Sequence, residues 1–327
     1  MRSLRLAAML LAASAGYARA DFNSTSVGTA GSEFLNLDVG PRGIAMGGAY
    51  SAVTDDSNSM YWNPAGLTRV PRASLSAMHN EYLAGIRLQY ISYAQRINDL
   101  SVLGGAVRYM DAGGIDNTDV NGNVLGQFHP RNYVFEFGWG QNIIDLTDSE
   151  RDISLGATAR YFRSDLVAHA NGFAGDLGVQ ARYTEAYRPF TLSFVGQNMG
   201  RGQKFDQTRD NLPFRLRLGA AINWTPNLIL SIEGICPISD TPFGAIGTEY
   251  AVGTVSTAKI FLRAGYNTLN SFNGVDGFTG ASFGTGIKLS EFAFDYAFVP
   301  FGQLGNAHRF AVSWNLPAKS SRRFRER

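Results

Sequence analysis

The sequence predicts an all-β chain: a transmembrane antiparallel β-barrel of about fourteen strands, with an N-terminal hatch segment inside its lumen. Three observations carry that expectation. After Val70, apolar and aromatic residues alternate with small, polar or charged ones in run after run. The connections between those runs are by turns tight and long. The stretch from Gly47 to Leu67 is irregular and holds a glycine pair, an acidic pair and an Asn-Pro-Ala-Gly turn. Its backbone groups cannot all pair within it, so it needs protein or water around it, and the inside of a barrel supplies both.

Composition agrees. Of the 327 residues, 45% are hydrophobic, 12% aromatic and only 17% charged, with 37 glycines. That is a glycine- and aromatic-rich β composition rather than a disordered or helical one. No run of about 18 to 20 apolar residues follows the N-terminal region, so a membrane location implies strands rather than helices.

In chain order, residues 1–20 read as a signal peptide. Arg2 and Arg5 precede an apolar run from Leu6, and Ala18-Arg19-Ala20 offers small residues at the two positions read at cleavage. Its removal takes away three arginines and no acid, lowering the formal charge from +2 to −1. A nucleic-acid role then has no electrostatic basis. Residues 21–69 read as a lead-in and hatch. Pro41 opens a short helix, weakened by Gly43, Gly47 and Gly48 at roughly 1 kcal/mol each relative to alanine. Asp55 or Asp56 caps a second turn that Asn63-Pro64 ends. Ion pairs to luminal arginines are a further expected use of the acidic pair, with cation binding as the alternative. Tyr61-Trp62 is an aromatic pair suited to packing the wall or to lining an apolar path.

Residues 70–315 read as the barrel wall. Tyr133, Phe135, Phe137 and Trp139 share one face, and Val134, Glu136, Gly138 and Gly140 the other. The same split recurs around Tyr161, Tyr183, Leu218 and Phe294, with charge on the non-aromatic face each time. A soluble sandwich would show this alternation too, so the turns decide. Segments near 96–99, 184–189, 223–227 and 289–291 are tight, whereas 110–131, 198–211, 236–244, 268–277 and 300–307 are long and polar; the connection from Ile143 to Arg151 is an exception, on the short side yet about nine residues long. Short turns on one rim and long loops on the other are the habit of outer-membrane barrels. Arg or Lys facing lipid near the midplane costs about 2–4 kcal/mol. By parity Arg108, Arg160, Arg182, Arg215, Arg217, Arg263 and Arg309 therefore face the lumen, with Glu136, Asp176, Glu233, Glu249 and Asp295 as counter-charges. Residues 316–327 form a basic tail.

No catalytic constellation stands out. His79, His129, His169 and His308 show no metal-ligand spacing, Cys236 has no partner cysteine, and no Gly-x-Ser-x-Gly elbow occurs. The reading is non-enzymatic, with no cofactor and no metal.

The sequence resembles the PorV/PorQ family of outer-membrane proteins, a branch of the FadL-type group of long-chain fatty-acid transporters. The resemblance lies in Gly40 to Tyr50, in Asp55-Asp56 through Trp62 to Leu67, and in Gln197-Asn198-Met199-Gly200. It continues in Leu212-Pro213 with Arg215 and Arg217, in Gly247 to Tyr250, in Arg263 to Tyr266, and from Asp295 to Phe301 and on to His308-Arg309. It implies a fourteen-stranded barrel in the outer membrane of a Gram-negative-type bacterium, with Asp55, Asp56 and Asn63-Pro64-Ala65 belonging to an inward hatch. It also implies two functions. One is passive transport or binding of hydrophobic small molecules. The other is a PorV-like part in type IX secretion, holding exported protein cargo at the surface. Transport calls for an apolar pocket beside Tyr61-Trp62 and an exit through the wall or past the hatch; a closed structural barrel is a third reading.

Overall fold

The computed structural model describes residues 28, 30–144, 151–166, 168–205, 207–255, 258–269 and 279–318. The signal peptide, residues 21–27 and 29 of the lead-in and residues 319–327 of the basic tail lie outside these. Fourteen strands close a barrel in which every strand pairs antiparallel with its neighbours. The wall runs β1 (Ala73–Glu81), β2 (Arg87–Arg96), β3 (Ser101–Asp111), β6 (Arg131–Ile144), β7 (Arg151–Asp165), β8 (His169–Tyr183) and β9 (Phe190–Arg201). It continues with β10 (Arg215–Thr225), β11 (Leu228–Pro237), β12 (Phe243–Val255), β13 (Ala258–Asn267), β14 (Ala281–Leu289), β15 (Phe292–Pro300) and β16 (Asn306–Leu316). The last strand returns to the first, from Ala73 opposite Leu316 to Glu81 opposite His308. Closure leaves no unpaired edge for lipid to meet.

One segment expected as plain loop is structured. Between β3 and β6 the chain forms a separate two-stranded hairpin, β4 (Ile115–Thr118) and β5 (Val124–Phe128), outside the wall. Asp119 organises its turn by accepting from the backbone N–H groups of Asn121 and Asn123.

Side-chain alternation sorts outside from inside. Phe135, Phe137 and Trp139 are exposed on the outer face of β6, while Val134 and Glu136 on the alternate face are buried. Outward aromatics form ladders across strands: Tyr109 on Tyr133, Phe135 on Tyr161, and Tyr161 on Phe173, with ring centroids 5.2, 6.3 and 5.2 Å apart. Inside, Arg108, Arg160, Arg215, Arg217, Arg263 and Arg309 are all buried. The lumen is filled by the chain that precedes β1.

That filling consists of short helical turns at Glu33–Asn36, Pro41–Ala45, Ser59–Trp62 and Pro64–Arg69. Pro41 takes the first helical position, as its fixed φ favours. The chain then reverses through Gly47 and Gly48 at φ 68° and 83°, which only glycine adopts without strain. Here Gly47 also lies against the backbone of Tyr266, leaving no room for a side chain.

Candidate functional site: a hatch sealed into the barrel

The inner wall opposite the hatch carries glycines. A Cβ added at Gly138 would strike Met60; at Gly156, the Pro64–Ala65 peptide; at Gly178, Asn63; at Gly265, the Met46–Gly47 peptide. Three of these sites lie on the adjacent strands β6, β7 and β8, and the fourth on β13. The wall gives up side chains where the hatch backbone comes closest.

Hydrogen bonds complete the seal. Ser51 is held by its N–H donating to Glu233 Oε2 at 2.9 Å, by an Oγ–Oγ contact with Ser193 at 2.7 Å, and by its carbonyl accepting from Gln180 Nε2 at 2.8 Å. On the opposite side Ser57 N–H donates to Ser74 Oγ, and its hydroxyl meets Ser92 Oγ. Thr68 bonds Ser154 on β7, and Gly47 N–H donates to Ser282 on β14. Asn63 Nδ2 donates to the carbonyls of Ser51 and Val179, while Oδ1 accepts from Ala65 N–H, the cap of the following turn.

Tyr61 and Trp62 are buried at the centre, edge to face with centroids 5.1 Å apart. Around the Tyr61 ring stand the guanidinium groups of Arg108, Arg215 and Arg160 at 4.9, 5.6 and 6.0 Å, and Arg217 lies 4.9 Å from the Trp62 ring. The Tyr61 hydroxyl donates to Asp38 Oδ1 and accepts from Arg215 Nη2, both at 2.8 Å. Trp62 Nε1 donates to the Val39 carbonyl at 2.9 Å. The pair therefore packs against charge and does not line an apolar path.

The arginines are matched one network at a time. Glu136 Oε1 accepts from Arg108 at 2.9 Å and from Arg160 at 3.0 Å, and Arg160 also reaches Asp176. Arg217 pairs with Glu233 and Arg182 with Asp152. Arg263 bridges Glu249 and Asp295, both at 2.6 Å. Strand β9 contributes through a bulge that sequence periodicity did not reveal. Gln197 and Asn198 together face Asp176, with Asn198 at φ 58°, so two successive side chains turn inward. Gln197 then accepts from Arg215 Nε, and Asn198 from Arg160 Nη1.

The acidic pair needs a correction. Asp55 does not meet a wall arginine; it accepts from Arg42 of the hatch itself at 2.7 Å, and Arg42 carries the link to the wall through Glu249 at 2.7 Å. Asp56 accepts from the backbone N–H and side-chain amide of its neighbour Asn58. Arg42 sits one turn before the glycine pair and shows no strand periodicity, so nothing in the sequence set it apart. Burial, and then the charge of Asp55, push the Asp56 carboxyl up to about 6. The folded hatch thus prefers neutral Asp56, gains stability as pH falls through about 6, and has the whole gain near pH 4. Protease resistance of the hatch is expected to rise on acidification across that window. The Asp56→Asn variant should lose the dependence.

Cavities remain on each side of the sealed layer. One of about 460 Å³ faces the short-turn rim and is lined by Arg42, Asp55, Asp56, Arg69, Arg182 and Asp295 among others. Another of about 290 Å³ faces the long-loop rim beside Glu33, Asp38, Arg215 and Arg217. They share no lining residue, and charged side chains line both. An apolar hollow of about 530 Å³ lies at the wall, among Ala77, Ile91, Ile287, Phe294, Phe310 and Val312.

A family model for the Uncharacterised protein family (UPF0164) matches residues 8–209. The chain belongs to this family. No curated protein matches the UPF0164 chain at the level of sequence. Among solved structures it is similar to the Ralstonia pickettii toluene transporter TbuX at 12% identity and TM-score 0.52, covering 85% of this chain and 98% of that one. A Pseudomonas aeruginosa FadL homologue aligns at 10% identity and TM-score 0.52, again over 85% and 98%. A TodX monoaromatic hydrocarbon channel carrying the deltaS2S3 mutation aligns at 11% identity and TM-score 0.55, over 85% and 99%. At such identities the likeness establishes the fold of the UPF0164 chain as that of FadL-type barrels. The family match is to UPF0164, so it does not carry the PorV/PorQ part of the sequence resemblance.

Proposed function

We propose that this chain is a non-enzymatic barrel of a Gram-negative-type outer membrane that passively transports or binds hydrophobic small molecules, with its hatch shut in the conformation described. The observation that carries the reading is the architecture: a fourteen-stranded FadL-type barrel, apolar outside and charged inside. An outward band of Phe, Leu, Ile and Trp side chains suits lipid, and ion-paired arginines suit a protein-filled lumen. The neighbours are a toluene transporter, a FadL homologue and a monoaromatic hydrocarbon channel, which favours a hydrophobic cargo.

Passage through the centre then requires the hatch to shift, because charge surrounds Tyr61. The apolar hollow is a lipid-facing groove over strands that pair without a break, so a lateral route there requires those strands to part. It brings inward Met78 and Ala311 together with outward Phe310 and Val312. The alternative of a PorV-like surface component that holds secreted cargo rests on the sequence resemblance alone.

Uptake by a host lacking its own FadL-type transporter tests the proposal. With labelled long-chain fatty acid and labelled toluene each supplied at low concentration, cells making the chain are expected to accumulate at least one faster than cells without it. Equal uptake of both, together with exported proteins that co-purify with the barrel, would move the function to cargo binding.

A further inference from the structure

We propose that the cavity over Arg309 is a binding site for a small organic carboxylate. Among the described inward arginines of the wall, Arg309 has no ion pair and no hydrogen bond to protein. Its Nε and Nη1 are buried without partners, and so is Oδ1 of Asn80, directly opposite on β1. Its guanidinium lies 5.6 Å from the centroid of the Tyr82 ring, and the Asp38 carboxylate attracts it through space without bonding to it. Every other arginine in the set is answered by an acid, directly or, for Arg215, through the Tyr61 hydroxyl to Asp38. Leaving a guanidinium buried without a hydrogen-bonded partner is costly, and an arriving anion that bonds it would offset that cost.

The space beside it fits such an anion. A cavity of about 190 Å³ opens between hatch and wall on the long-loop side, with Arg309, Asp38, Leu37, Val299, Tyr82 and Phe301 in its lining. That is about six times the volume share of one water, enough for a compact molecule and too small for a drug-sized one. Leu37, Val299 and the Tyr82–Phe301 edge-to-face pair supply an apolar side for an organic body. Arg309 lines the cavity and supplies the charge for a bond to the head of that body, made by the accessible end of the guanidinium because Nε and Nη1 are themselves enclosed. Asp38 lines the same cavity and is already engaged by Tyr61, so it disfavours a doubly charged head. A monoanionic carboxylate satisfies all three conditions, whereas phosphate lacks the apolar body and is in part doubly charged at neutral pH.

The site does not depend on the transport reading, since equilibrium binding to the isolated protein involves no passage. The full chain, purified in detergent, is titrated with butyrate, benzoate, butyramide and inorganic phosphate and followed by calorimetry. Butyrate or benzoate is expected to bind once per chain, at least about tenfold more tightly than butyramide or phosphate. Arg309→Gln should weaken carboxylate binding at least about tenfold without lowering the thermal transition, because it removes an unpaired buried charge. Val299→Phe, which keeps Arg309 and fills the cavity, should abolish binding as well. Three results would each overturn the site: no saturable carboxylate binding, binding unchanged in both variants, or phosphate bound as tightly as the carboxylates.

Discussion

Gly156→Val is expected to drive the hatch out of the barrel while leaving the wall intact. Gly156 faces inward on β7, and a side chain there runs into the Pro64–Ala65 peptide. Overpacking costs about 1–3 kcal/mol where neighbouring side chains can shift. Here the neighbour is backbone, which no rotamer change relieves. Valine suits a strand, so β7 keeps its pairing with β6 and β8 and the strain falls on the hatch. Limited proteolysis should cut the variant between β1 and its N-terminus under conditions that spare the wild type. Gly234→Val is the control, because an added Cβ there meets nothing within 4 Å. It should behave as wild type.

Glu136→Ala should have the largest effect on stability. Glu136 is the shared acceptor of Arg108 and Arg160 and also accepts from the Tyr90 hydroxyl at 3.4 Å. Its loss leaves Arg108 with no carboxylate and Arg160 with Asp176 alone. Breaking a buried pair by removing one partner costs about 3–5 kcal/mol, since the other charge stays buried and uncompensated. The thermal transition should fall accordingly. Adding Arg108→Met should recover part of the loss, because the second change removes the orphaned charge, so the double-mutant cycle is expected to be far from additive.

The sequence made the outline of this molecule readable because a strand wall repeats one rule. Period-two parity alone placed Arg108, Arg160, Arg215, Arg217, Arg263 and Arg309 inside, and turn lengths separated the two rims. The partners of those charges were only half readable. Glu136, Asp176, Glu233, Glu249 and Asp295 were identifiable as inward acids, but the link from Asp55 through Arg42 to Glu249 joins residues 207 apart in the chain and depends on how the hatch docks.

Three further features gave no periodic signal. Gly138, Gly156 and Gly178 read only as a small face until the hatch backbone is set against them. The bulge at Gln197–Asn198 breaks the alternation that was used to find the strands. The hairpin β4–β5 lies in a segment rich in Asp, Asn and Gly, which reads as loop.

The central claim is that the hatch, held on all sides by the wall, closes the barrel. Ion conductance of the purified protein in a planar bilayer, with Gly156→Val beside the wild type, tests it most directly. The expected result is a silent wild type and a variant that opens steady pores. A wild type that conducts as freely as the variant would contradict it.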